Sequence, residues 1–178
     1  MKYAIIAHRY AQAFLATFSS QDYPSLYGDV EKLTALFASY PQLISIISSR
    51  VVHPDKRDAL VETLLDGTAH HTRWANLFGI LKKKAKIEIV PAILRDLEEK
   101  VLAAQGKMKI LLTLAHEQSE EMIEKIRAIV EKEVQAKVLF DITIQPQVLG
   151  GFVAESSSLR IDGSIHNNLI KFKRQLLT

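Results

Sequence analysis

The stretch "VLAAQGKMKILLTLA", Val101 to Ala115, decides how the chain is divided. Up to Gln105 the apolar residues keep helical spacing, with Ile93, Leu94, Leu97, Val101 and Leu102 three or four apart. Beyond Gly106 the period drops to two, because Met108, Ile110, Leu112 and Leu114 alternate with their neighbours as the two faces of a strand do. A glycine at that junction suits the end of a helix, where the chain must take a left-handed conformation. The change of period predicts a domain boundary there, with residues 1–105 on one side and 106–178 on the other.

Working back from the boundary, the first part reads as six helices with short connections, a helical bundle. Ala4, Ala7, Ala11, Phe14 and Phe18 form one stripe of a first helix ending near Ser19. Asp22 is placed to cap the second, which has Pro24 in its first turn and runs through Leu26, Val30, Leu33 and Phe37. Pro41 opens a short third segment and Pro54 a fourth, stopped by Gly67. The fifth spans about His71 to Lys84 around Trp74, Leu77, Phe78 and Leu81, and the sixth starts near Pro91.

Working forward, "VLFDITIQ", Val138 to Gln145, alternates like the strand after Gly106. Between the two lies a helix marked by Met122, Ile123, Ile126, Val130 and Val134, with glutamates in its first turns where the helix dipole favours them. A strand, a helix and a strand of these lengths make a crossover unit with parallel strands. Two short strands follow, Gly151–Glu155 and Leu159–Ile161, and then a last helix presenting Ile165, Leu169, Phe172 and Leu176. The expected class is therefore multi-domain, α and α+β: a six-helix bundle followed by a small β-α-β-β-β-α domain.

Composition removes several functions. The 178 residues contain no cysteine, which excludes disulfides, thiolate nucleophiles and cysteine-held metals. A net charge of +3 is far from the basic balance of a nucleic-acid binder, so no nucleic-acid partner is expected. The start imitates an export signal, but its apolar run, Ala4 to Ala7, is too short for one.

The motifs have simple structural readings. Gly150-Gly151 feeds the strand "FVAE" rather than a helix, which a phosphate loop would require. Asp162-Gly163-Ser164 does precede a helix and has Arg160 nearby; capping is its simpler role, and a phosphate- or nucleotide-handling enzyme is the alternative. His116-Glu117 begins like a zinc helix motif, but position 120 is Glu, so no metal is expected. Lys82 to Lys86, "KKKAK", has no interleaved aromatics and reads as a solvated helix end, with a nucleic-acid adaptor as the alternative. No nucleophile, base and orienting acid can be picked out, so neither catalytic residues nor a cofactor are expected.

Tyr10, Ala11, Ala13 and Phe14 on the first helix, and Leu77, Gly79, Ile80 and Leu81 on the fifth, mix small and large apolar groups. Glycine in mid-helix costs about 1 kcal/mol relative to alanine, which suggests close packing against Gly79. Amphipathic helices can leave a groove that receives one more.

The order of elements and "LGGFVAESSSLRIDGSIHNNLIKFKRQL", Leu149 to Leu176, resemble the δ subunit of F-type ATP synthases, the oligomycin-sensitivity-conferring protein of mitochondria. Gly150, Gly151, Asp162, Gly163, Ser164 and Leu169 fall as in that family's C-terminal signature, "RYAQAF" looks like the start of its first helix, and "IVPAIL" is similar to the opening of its sixth. Where many members carry an Ala-Glu-Asn-x-Arg-Leu-like stretch, this chain has "KKKAKI", Lys82 to Ile87.

The resemblance implies a stator component rather than a catalyst, present in one copy per complex. It implies that the helical domain grips the N-terminal segment of an α subunit of the catalytic head in a groove between the first and fifth helices. Tyr10, Phe14, Leu77, Ile80 and Leu81 would make the contacts, and Gly79 would allow close approach. The C-terminal domain would hold the b subunits of the peripheral stalk, so that ion-driven rotation forces ATP synthesis. A bacterial protein at the cytoplasmic face of the plasma membrane, attached only through its complex, is the expected setting.

Overall fold

A computed structural model describes residues 2–49, 51–145, 150–156 and 159–163. The chain separates into two compact units, Met1–Gln105 and Gly106–Thr178.

The first unit is helical: α1 Lys2–Leu15, α2 Tyr23–Ser39, α3 Gln42–Ser48, α4 Pro54–Leu65, α5 His71–Lys83 and α6 Val90–Ala104. Prolines stand in the first turns of α2, α4 and α6, where a missing N–H breaks no helical bond. The helix α6 packs most extensively against α1 and α2. Apolar stripes from all six helices join one core that includes Ala11, Leu26, Phe78, Leu97 and Val101.

Two local expectations are corrected. The helix α1 stops at Leu15, not Ser19, and Ala4 on its expected inner stripe is exposed. Thr17 and Phe18 donate to the carbonyls only three residues back, at 3.0 Å each, and the Thr17 hydroxyl donates to the Phe14 carbonyl as well, so the last turn tightens and ends. Asp22 does not cap α2. Its carboxylate reaches back to the Ser19 amide and hydroxyl at 3.2 and 3.1 Å, closing a capping box on the 3-10 turn Ser20–Asp22.

The end of α5 is a Schellman closure. Lys86 N–H donates to the Leu81 carbonyl at 2.8 Å and Ala85 N–H to that of Lys82 at 3.0 Å. Ala85 supplies the left-handed residue at φ 51°, where glycine is usual. A further 3-10 turn, Ile87–Ile89, leads into α6 with both isoleucines buried.

The second unit is a four-stranded mixed sheet in the order β2-β1-β3-β4. Its strands are β1 Lys107–Leu114, β2 Lys137–Ile144, β3 Phe152–Glu155 and β4 Arg160–Asp162, and α7 spans Glu120–Val134. β1 and β2 run parallel from Lys107 opposite Lys137 to Leu114 opposite Ile144, joined by α7 as the crossover. β3 lies antiparallel on the other side of β1, and β4 antiparallel to β3. Ile110, Leu112, Leu114, Val138 and Ala154 of the sheet meet Ile126 and Val130 of α7 in one core. The fourth strand reaches Asp162, opposite Val153, one residue further than expected. Ser164, Leu169 and the expected last helix lie outside the described residues.

Candidate functional site

The helices α1 and α5 run antiparallel. Phe14 meets Trp74 with ring centroids 4.6 Å apart, and the later Phe18 meets the earlier His70 at 4.9 Å. Between them lies a groove of about 290 Å³ lined by Tyr10, Ala13, Phe14 and Thr17 from one side and Arg73, Asn76, Leu77 and Ile80 from the other. Phe14 and Leu77 form its floor, nearly buried, whereas Ile80 on the rim is 50% exposed. Arg73 and Ile80 lie seven residues apart on α5, so that wall is two helical turns long, about 10 Å, and the facing wall runs from Tyr10 of α1 to Thr17 in the turn that follows it.

A buried carboxylate fixes where α5 begins. Asp29 of α2 is 4% exposed. It accepts hydrogen bonds from Ala69 N–H at 2.7 Å, His70 N–H at 3.0 Å and the Trp74 indole Nε1–H at 3.1 Å. The two amides immediately precede α5, His70 being its N-cap residue, where the positive end of the helix dipole favours an anion. Trp74, once tied there, holds Phe14 and so aligns the two walls of the groove.

At the same end Arg73 lies over the Phe18 ring, 4.4 Å from its centroid, with Nη1 3.5 Å from the Asp22 carboxylate. The Ser19 amide and hydroxyl, with a smaller contribution from Arg73, hold the Asp22 carboxyl below its ordinary range.

Of the residues expected to contact a partner, the structure gathers Tyr10, Phe14, Leu77 and Ile80 at the groove. Leu81 is a correction: it is 0% exposed and belongs to the core, because it points some 100° around the helix from Ile80. Gly79 also lies off the groove, and a Cβ placed on it would meet nothing within 4 Å. Arg73, Asn76 and Thr17 were missed, since a search for apolar periodicity passes over polar residues that share a wall with apolar ones.

The remaining motifs are accounted for locally. Gly150 and Gly151 precede β3 with φ of 143° and 84°, a conformation that side chains resist. Gly163 N–H donates to the Phe152 carbonyl at 2.9 Å, and a Cβ there would sit 3.0 Å from the Phe152 ring. In the lysine run, Lys82 pairs with Asp58 of α4 rather than standing free in solvent, and burial lowers its pKa, with Arg57 adding to the effect. Among the described residues no group of three His, Asp or Glu side chains is arranged to hold a metal, and no helix is long and apolar enough to cross a membrane.

An apolar groove of peptide dimensions on a helical unit, joined in sequence to a small α/β unit, is an architecture suited to holding another chain. The family model for the ATP synthase delta (OSCP) subunit matches residues 6–176, and the chain belongs to that family. It is a non-catalytic stator subunit of a rotary ATP synthase. ATP synthase subunit delta of Leuconostoc citreum is 28% identical over 174 residues, 97% of this chain and 96% of that protein. The same subunit of Desulfatibacillum aliphaticivorans is 27% identical over 177 residues, 99% of this chain and 97% of its own. The fold also matches a chain in the cryo-EM structure of the Toxoplasma gondii mitochondrial ATP synthase hexamer, with a TM-score of 0.73, 14% identity and 97% of each chain covered. At that identity the likeness is one of fold.

Proposed function

We propose that the α1/α5 groove receives the N-terminal segment of an α subunit of the catalytic head, bound as an amphipathic helix. The observation that carries this reading is the juxtaposition of a nearly buried apolar floor, Phe14 and Leu77, with the half-exposed rim residue Ile80, along two turns of wall. An incoming helix that places apolar residues three and four apart in such a groove buries its own stripe and the rim together.

The second unit, in this reading, holds the b subunits of the peripheral stalk. Ile142 and Ile144, which share one face of β2 and are each 44% exposed, offer the stalk apolar contacts. One copy per complex, held at both ends, resists rotation of the head. Two attachments on one chain make the second intramolecular, so the tether persists longer than either contact would alone. The complex then sits at the cytoplasmic face of a bacterial plasma membrane, with the chain attached only through its partners.

The test is calorimetry of the full chain with a synthetic peptide of the α N-terminal segment from the same organism. Ile80→Asp introduces a charge that docking would bury, and the expected outcome is a loss of affinity of at least about tenfold with little change in folding stability. Affinity equal to that of the unaltered chain would remove the groove from the reading. For the second unit, purification of the complex should bring b subunits with residues 106–178.

A further inference from the structure

Among the residues lining the groove, Arg73 alone carries a charge. Its guanidinium is held in place by stacking on Phe18 at 4.4 Å, yet its one ion pair among the described residues, Nη1 to Asp22, is long at 3.5 Å. Asp22 is itself engaged by the Ser19 amide and hydroxyl. A guanidinium has five N–H donors in a rigid fork, so Arg73 is positioned but, among the described residues, mostly unsatisfied by protein groups, and its side chain remains 42% exposed. We propose that Arg73 recognises a carboxylate on the docked segment, so that the groove selects an amphipathic helix carrying an Asp or Glu at the end where Thr17 and Arg73 meet.

Selection works in both directions. A segment with the acid in register replaces water at the guanidinium with a charge-assisted, two-pronged contact. A segment without it covers Arg73 and strips its hydration with nothing in return. Because α1 and α5 are antiparallel, Arg73 marks one end of the groove and Ile80 the other. The carboxylate therefore also fixes the direction in which the helix lies, which an apolar groove alone leaves open.

This inference rests on the groove being the docking site, and the experiment separates the two. The probe is the same α N-terminal peptide, and a set in which each acidic residue is replaced in turn by its amide, titrated against the full chain. Arg73→Gln is expected to weaken the unmodified peptide about tenfold, the range of a hydrogen bond to a charged group. One amide peptide should lose as much against the unaltered chain and lose nothing more against Arg73→Gln, while Arg73→Lys restores less than half of the loss. Asp22→Asn, which removes the competing carboxylate, should bind at least as tightly as the unaltered chain, and a thermal melt of each variant checks that α5 is still folded. If Ile80→Asp abolishes binding and Arg73→Gln changes it less than about twofold, docking stands and carboxylate recognition is overturned. Additive losses with every amide peptide overturn it too. If neither variant changes the affinity, the docking reading itself falls.

Discussion

The two units hold their shape by different means. In the helical unit a single buried side chain, Asp29, joins α2 to the start of α5 through three hydrogen bonds, and the groove depends on that junction. In the α/β unit the equivalent task falls to the backbone of the sheet: eight residue pairs zip β1 to β2 in register, while side chains pack α7 onto it. A helix satisfies its own backbone and has to be placed by side chains, whereas a strand is placed by the hydrogen bonds that make it. Truncating one polar side chain should therefore do far more damage in the first unit than in the second.

Asp29→Ala is the strongest way to break that contrast. It strands the Trp74 indole in a buried site and two backbone amides in a part-buried one. The buried donor costs about 1–3 kcal/mol and the amides, which water can reach, less, so the helical unit should lose about 3 kcal/mol. Trp74 is the chain's single tryptophan and is 1% exposed, so its fluorescence during denaturant unfolding reports on this unit alone. A loss under about 1 kcal/mol would mean that the rest of α5 is placed by packing. The counterpart is Glu131→Ala in α7, whose carboxylate accepts from Val138 N–H at 2.9 Å at the start of β2. There the neighbouring ladder bonds remain, and about 1 kcal/mol is the expected cost by circular dichroism.

Helix ends sharpen the comparison at smaller scale. Ala85 and Gln135 occupy left-handed positions, φ 51° and 55°, at the ends of α5 and α7. Replacing either by glycine relieves strain of about 1 kcal/mol and should stabilise its own unit without touching the other. Gly79→Ala should add up to about 1 kcal/mol of helix stability and leave peptide affinity unchanged, since open space surrounds its Cβ position. A fall in affinity would mean that a partner packs on that face of α5.

The smallest effect is one of pH. Partial burial, together with Glu31 and Glu98, pushes the Tyr27 phenol up to about 12. In the unfolded chain the phenol ionises near 10, so between pH 10 and 12 the unfolded state sheds a proton that the folded state keeps, and stability falls as pH rises. Tyr27→Phe should flatten that decline, and following phenolate absorbance in the folded protein should give a late-titrating tyrosine that the variant lacks.

The fold was largely legible because its signals are local. Prolines announced four helix starts, and the switch of period at Gly106 separated helix from strand. The end of α1 was not, because Phe18 keeps the helical stripe while the backbone has already turned to shorter bonds. Of the groove's lining, half was legible. Ile80 and Leu81 are adjacent apolar letters, yet one faces the groove and the other the core, and only the packing of α5 distinguishes them. Asp29 gave no sign at all, since its partners lie some 40 residues away and a lone aspartate in an amphipathic helix reads as solvent-facing.

That aspartate has a mechanical consequence. A stator works under torque, and a pull on the first turn of α5 meets three bonds converging on one carboxylate. Bonds that share an anchor carry the pull in parallel and yield together, whereas apolar contacts along a groove peel away one after another. In the proposed docking, the grip should then slip at the bound helix before the jaw itself comes apart, and a subunit that has let go would be ready to take hold again.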